Sequence, residues 1–445
     1  MLLTRKRAKE IFEKVLKYST ADETEAYITS TSYSLTRFAN NGIHQNVAEE
    51  GVSLSVRAAV NQRTARASTN KLDEDSIRQA CEAALALARL QPANPELMRM
   101  PGPQMYRSVS RFDSETAELS PRARAETVQQ AVTRAEADGL AAAGVYSSGA
   151  SSIALLNSRG LEAHHEETTS EFSITMLREG SSGWAKKTST SCLDLEPELL
   201  ADRAARKALE SREPQDLTPG KYCVILEPAA VLDLLGFLFF DFGGLAVHES
   251  RSCLTGRVGQ KLFGENVSVH DDVFHPLQAG PTFDGEGVPR QRVSLVERGT
   301  IKNLVYARAT ARKVGKEPTG HGFPLPNEYG EAPMNIVMDG GRSSIEEMIR
   351  STPRGLLVTR LWYIREVDPY QKILTGMTRD GTFWIEDGEV RHGVKNLRFN
   401  QSIIEMLARV EMMGSPQRTA GEESFEMVVP SVKVGGFNFS SATKY

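Results

Sequence analysis

The spacing of apolar positions divides the chain into helical and extended stretches. Leu3, Ala8, Ile11, Phe12, Val15 and Leu16 recur at helical spacing, which predicts a helix over residues 4–18. Val52, Leu54, Val56 and Ala58 then alternate with polar neighbours, as a half-buried strand does. Asp73 or Asp75 is placed to cap a helix that continues through Ile77, Ala80, Ala84 and Leu87. Helix, strands and helix in that order predict a small α+β unit over residues 1–90.

Pro92, Pro95, Pro101 and Pro103 crowd the next stretch. Proline removes an amide donor and fixes φ, so residues 91–104 read as a linker. A second unit spans 105–213. Its first helix, over 121–139, has Ser120 as cap, Pro121 in the first turn and Gly139 at its end. Phe172, Ile174 and Met176 alternate along a strand, and a helix over 195–210 closes the unit. Past the turn Thr218-Pro219-Gly220, KYCVILEP reads as a buried strand, followed by an apolar helix over 229–240. From residue 266 onward strand and turn signals dominate, with Arg298-Gly299, Asp380-Gly381 and Asp387-Gly388 placed as hairpin turns.

Charge and cysteine usage narrow the class. The 53 basic and 57 acidic residues are dispersed, so no strong field favours nucleic acid or anionic lipid. Val231–Phe240 falls short of the roughly 20 apolar residues of a membrane span and contains Asp233. The N-terminus MLLTRKRAKEIFEK is charged where a secretory signal needs an apolar core. Cys81, Cys192, Cys223 and Cys253 form no CxxC pair, which fits a reducing cytoplasm. The expectation is a cytoplasmic protein with no nucleic-acid and no membrane partner. Walker A and GxSxG patterns are absent from the sequence.

Candidate chemistry concentrates in GGLAVHESRSCLTGR, residues 243–257. Zinc catalysis needs nitrogen, oxygen or sulfur ligands and a base beside the bound water. His248 and Glu249 have the order of the HE pair of zinc peptidases, but Ser252 stands where HExxH has its second histidine. Cys253, five residues on, lies about 140° around a regular helix from His248 and would converge only through a local widening of the turn. Taken alone, the dipeptide also reads as a partly exposed pair at a helix start. His270 and His275 flank Asp271-Asp272, and His321 lies between glycines in a shaped loop.

Four ordered segments together resemble the TldD/PmbA metallopeptidase family, also described as modulators of DNA gyrase. They are RFANNGIHQNVAEEGVSLSVRA (37–58), FDGEGVPRQRVSLVERGTIKNLVYARATARKVGKEPTGHG (283–322), TGMTRDGTFWIEDGEV (375–390) and VKVGGF (432–437). The resemblance implies an α+β fold in three parts. Two smaller N-terminal α/β segments, 1–90 and 105–213, precede a large strand-rich C-terminal domain, 218–445.

It also implies a dimer in which TldD and PmbA (TldE) subunits together trim or degrade peptides. The TldD type carries HExxxH and a C-terminal cysteine ligand. Here His248 and Glu249 match, Cys253 replaces the second histidine, and no cysteine follows it. The run SRSCLTGRVGQKLFGENVSVHDD is similar to the PmbA branch. The expected role is a subunit with no cofactor of its own, paired with a TldD-like paralogue or with itself. In an intact altered site, His248 and Cys253 would hold zinc and Glu249 would act as base. A gyrase-associated regulator is the remaining alternative. Peptide substrate would lie along a strand wall, for which Leu356–Ile364 and Gly381–Glu386 are candidates.

Overall fold

The computed structural model describes residues 2–422 and 424–443. The chain opens with α1 (Arg5–Tyr18), whose cap Thr4 accepts from the Arg7 amide. β1 (Glu23–Ala39), β2 (Gly42–Val60), β3 (Arg63–Thr69) and α2 (Glu74–Leu90) follow. Asp73 rather than Asp75 caps α2. After the proline-rich connection come α3 (Ser114–Ala117), α4 (Pro121–Ala137), β4 (Ala141–Asn157), β5 (Glu162–Arg178), β6 (Ser181–Ser189) and α5 (Pro197–Glu210). Ser120 caps α4 by accepting from Ala123, and Gly139 beyond its end has φ +64°.

The two N-terminal segments share one antiparallel sheet in the order β3-β2-β1-β4-β5-β6. The seam is the β1–β4 ladder, which runs from Glu25 opposite Asn157 to Phe38 opposite Gly144. Strand residues two apart point to one face. Ala142, Tyr146, Ala154 and Leu156 of β4 therefore face the same side. There α1 and α2 bury one cluster around Ile28, Leu54 and Val56, and α4 and α5 bury another around Phe172, Ile174 and Met176. Each fully buried side chain of this size contributes about 1.5–3 kcal/mol. Leu155, on the opposite face, packs with Leu161, Ala163 and Phe283, so the C-terminal part docks there.

The C-terminal part comprises β7 (Gly220–Leu226), α6 (Pro228–Leu235), α7 (Gly244–His248), β8 (Val269–Asp271), β9 (Val293–Glu297), β10 (Thr300–Ile301), α8 (Arg308–Val314), β11 (Ile336–Met338) and α9 (Ile345–Arg350). It continues with β12 (Arg354–Asp368), β13 (Ile373–Glu386), β14 (Glu389–Gly393), β15 (Leu397–Ser402), α10 (Ile403–Ala408), β16 (Val410–Met413), β17 (Gln417–Thr419), β18 (Met427–Val429) and β19 (Val432–Ala442). Strands β12-β7-β19-β15-β13 close on themselves because β12 also pairs with β13. Val224, Leu226, Leu356, Val358, Phe399, Phe437 and Phe439 belong to the large core of this region. A second, six-stranded sheet runs β10-β9-β8-β11-β18-β17. The fold is α+β, with a strand-rich C-terminal domain behind two smaller segments. No described helix is long and apolar enough to cross a membrane.

Two expectations change. Arg298-Gly299 and Asp387-Gly388 are hairpin turns with positive φ throughout, but Asp380-Gly381 lies inside β13. Its left-handed pair makes a bulge opposite Val358 and Arg360, and the buried Asp380 carboxylate binds the Arg360 guanidinium. A bulge and a hairpin turn use the same backbone angles, so the dipeptide alone does not separate them. The proposed strand wall also changes character. Phe383–Glu386 of β13 lies between β12 and β14, and Leu356–Val358 of β12 lies between β7 and β13, so these stretches offer no free edge. Further along β12, Arg360–Trp362 pairs with β13 on one side.

At the seam, a Cβ on Gly144 would meet Ser173 O at 2.1 Å and the Phe38 ring at 2.7 Å. Gly144→Val is therefore expected to lower stability by about 3 kcal/mol or more in urea unfolding. A change below about 0.5 kcal/mol would contradict the close packing of this seam.

Candidate functional site

The segment from α6 to residue 257 begins with Gly236 and passes through the glycine pair Gly243-Gly244. Both glycines are required by close approach. A Cβ on Gly243 would lie 2.8 Å from Glu331 O, and one on Gly244 would lie 2.3 Å from the Tyr306 ring. The start of α7 is held from outside the helix. Glu331 Oε1 accepts from the Leu245 amide at 2.6 Å, while its Oε2 accepts from the Ala307 amide at 3.0 Å and the Thr310 hydroxyl at 2.8 Å. Ala307 is the N-cap residue of α8, so one buried carboxylate serves the starts of two helices. Burial raises the Glu331 pKa, against the pull of its three donors.

His248 ends α7 and is exposed. Glu249, also exposed, accepts from the Arg251 guanidinium at 2.8 Å. Ser250 adopts φ +58°, which breaks the helix before it could carry a fifth-residue partner. The geometry considered from sequence, one widened helical turn bearing His248 and Cys253, is therefore not formed. Cys253 is 4 % exposed and belongs to the apolar core with Leu254, Phe263 and Leu304. Its amide donates to Asp241 Oδ1 at 2.7 Å. Burial and the nearby Asp241 carboxylate push the thiol strongly upward, away from the thiolate that ligates zinc. The structure thus leaves His248 and Glu249 exposed at the surface and Cys253 buried in the core. Among the described residues, no three His, Cys, Asp or Glu side chains gather in a group suited to a metal ion. This donor set does not fit zinc.

Asp241 has a further partner. Lys372, buried between β12 and β13, lies 2.7 Å from both Asp241 Oδ2 and Glu366 Oε1. These carboxylates raise its pKa against desolvation, so the residue is a fixed cation. The Asp241–Lys372 pair secures the chain beneath α7 to the closed barrel.

Two other histidines serve the frame. His321 Nε2 is 3.0 Å from Asp271 Oδ1, and both side chains are fully buried. The second Asp271 oxygen accepts from the Met334 and Asn335 amides at 2.7 Å. His270 is 3.1 Å from Asp339. In the loop that meets the N-terminal sheet, Asp284 accepts from the Glu286, Val288 and Gly322 amides. Glu286 accepts from the Arg308 amide at 3.0 Å, and burial beside Asp284 pushes its pKa up to about 7. Sequence reasoning missed Glu331, Asp241, Glu286 and Lys372, each of which has a partner at least 22 positions away along the chain. The glycines and acids of 280–287 and 319–331 were the available signal for Glu286 and Glu331.

Three family descriptions match the chain in order: PmbA/TldA metallopeptidase domain 1 over residues 24–88, the central domain over 112–212 and the C-terminal domain over 219–441. The chain is 23% identical to Metalloprotease PmbA of Escherichia coli O157:H7 over 86% of each chain. It is 26% identical to a metalloprotease of Methanothermobacter thermautotrophicus, covering 71% of this chain and 72% of that one. Its fold matches the crystal structure of TldE from Thermococcus kodakarensis with a TM-score of 0.88 at 23% identity, over 97% of this chain and 99% of the other. A Thermotoga maritima protein described as a candidate modulator of a DNA gyrase gives 0.86 at 22% identity, over 97% and 100%.

Glu331→Gln replaces an acceptor oxygen with a donor amide, leaving at least one helix-start N–H unpaired. It is expected to cost about 2 kcal/mol and to speed hydrogen exchange at Leu245 or Ala307, whereas wild-type exchange at both would contradict the shared cap. The raised pKa of Glu286 means that the folded chain keeps a proton that the unfolded chain releases near pH 4.5. Stability from this group is full below about pH 4.5 and is lost as pH rises to about 7, by up to roughly 3 kcal/mol. Glu286→Gln should flatten that part of the stability profile, and an unchanged profile would contradict the assignment.

Proposed function

The chain belongs to the PmbA/TldD metallopeptidase family, and on that premise we propose that it is the subunit without a metal site in a peptide-degrading complex. It pairs with a metal-bearing TldD-like paralogue. The observation that carries this reading is the fate of the segment after α7. The helix stops at His248, Ser250 turns the chain, and Cys253 enters the core with a neutral thiol.

A hydrolytic site needs its ligands and base to converge on one water. His248 and Glu249 instead face solvent, with Glu249 engaged by Arg251. The chain's own groups do different work in this reading. Glu331 holds the starts of α7 and α8, Asp241 and Lys372 anchor what lies beneath, and the resulting rigid surface completes a chamber for unfolded peptide. No proton or bond transfer is assigned to this chain. The relatives that bear metalloprotease names support peptide hydrolysis as the activity of the complex.

Peptidase assays test the proposal directly. The purified chain alone should leave an unfolded reporter peptide intact, and adding a TldD-like paralogue should yield cleavage. His248→Ala and Glu249→Gln in this chain should alter the rate of the mixture less than about twofold. Loss of a base or metal ligand from a working site costs on the order of a hundredfold or more. Cleavage by the chain alone, abolished by either substitution, would overturn the reading.

A further inference from the structure

The cores of the two parts leave a cleft of about 630 Å³ between β6 and α5 on one side and β17 and residues 276–278 on the other. A second hollow of about 550 Å³ extends it along α5, and the two share Arg203, Glu227, Pro228 and Gln417. Three features of this channel point to one kind of occupant.

First, two sheet edges open into it. β6 is the terminal strand of the N-terminal sheet, and β17 is the terminal strand of the six-stranded C-terminal sheet. Among the described residues, each has a strand partner on one side only. Terminal strands present amides and carbonyls that an extended chain can pair with. Second, the walls carry large apolar side chains that remain in water: Leu193 is 71 % exposed, Leu199 58 % and Leu277 42 %. Third, the cations here differ in their partners. Lys187 is tied to Glu196 and the buried Lys207 to Glu227. Arg203 and Arg206, one turn apart on the exposed side of α5, are in no ion pair among the described residues. Glu196 and Glu346 lie near enough to feel their charge, but beyond ion-pair distance.

We propose that this channel docks an extended polypeptide segment that carries both acidic and apolar side chains. Leu199, Arg203 and Arg206 lie on one face of α5, and side chains two apart along an extended chain share a side, so the side turned to α5 would place an apolar residue over Leu199 and acidic residues on Arg203 and Arg206. Such a segment supplies the anion the arginines lack and the apolar area the leucines leave uncovered. The inference deepens the peptide-handling role proposed above and rests on it for the identity of the occupant as substrate.

The test is fluorescence anisotropy of the isolated full-length chain with a fluorescein-labelled eight-residue peptide of two Leu-Leu-Glu-Glu repeats, which turns both residue types to each side of an extended chain. The wild type should bind saturably. The double substitution Arg203→Glu with Arg206→Glu should weaken binding at least about tenfold, and the same variant should prefer a matching Lys–Leu peptide, which the wild type rejects. Leu193→Ser with Leu199→Ser should weaken binding about fivefold or more. All four side chains are exposed, so both variants should fold. No saturable binding to the wild type, or equal binding to the wild type and both variants, would overturn the assignment. The measurement uses neither a paralogue nor cleavage. Binding with the predicted changes, from a chain that confers no cleavage on a paralogue, would keep the channel and remove the subunit role. Cleavage in the mixture with no binding change in the variants would do the reverse.

Discussion

A buried carboxylate needs donors around it, and a buried helix start needs acceptors. Glu331 answers both demands at once. Its two oxygens take the Leu245 and Ala307 amides and the Thr310 hydroxyl, so the starts of α7 and α8 are fixed to one loop. The same stretch of chain contains His321, buried on Asp271, and Gly322, whose amide is held by Asp284. Because interior polar groups are costly when unpaired, removing one member exposes the rest to that cost. The surface that carries His248 and Glu249 is rigid because this network lies behind it.

That rigidity separates structural from chemical use of similar residues. Asp241 sits beneath the α7 segment and binds both the Cys253 amide and the Lys372 ammonium. A carboxylate so engaged holds the chain in place, and it also raises the pKa of the thiol above it. Cys253 is thereby held as a core side chain. The acids, histidines and cysteine of this region form a frame behind the surface proposed to complete the peptide chamber, and the channel between the two terminal strands is a second surface open to a peptide.

Legibility in the sequence followed distance along the chain. Thr4, Asp73 and Ser120 cap helices within three residues of themselves, and the hydrophobic period marks the helices they begin. The β1–β4 seam joins residues more than a hundred positions apart, so the sequence reads as two small units where the structure has one sheet. Closure of the barrel depends on β12 pairing with both β7 and β13, which no local pattern encodes. At the site, the His248-Glu249 dipeptide was visible but the turn at Ser250 was not. A serine carries no strong preference for φ +58°, and its angle is imposed by the packing around it. Glu331 and Lys372 were silent for the same reason, since each has a partner far along the chain, Leu245 at 86 positions and Asp241 at 131.

The central claim is that the segment after α7 is a structural element and holds no catalytic metal. Zinc titration of the purified full-length chain, followed by calorimetry, tests it most directly. The account predicts binding of less than roughly a tenth of an equivalent, unaffected by His248→Ala or Cys253→Ser. About one equivalent bound by the wild type, and lost in both variants, would show that Cys253 leaves the core to join His248 and would contradict the account.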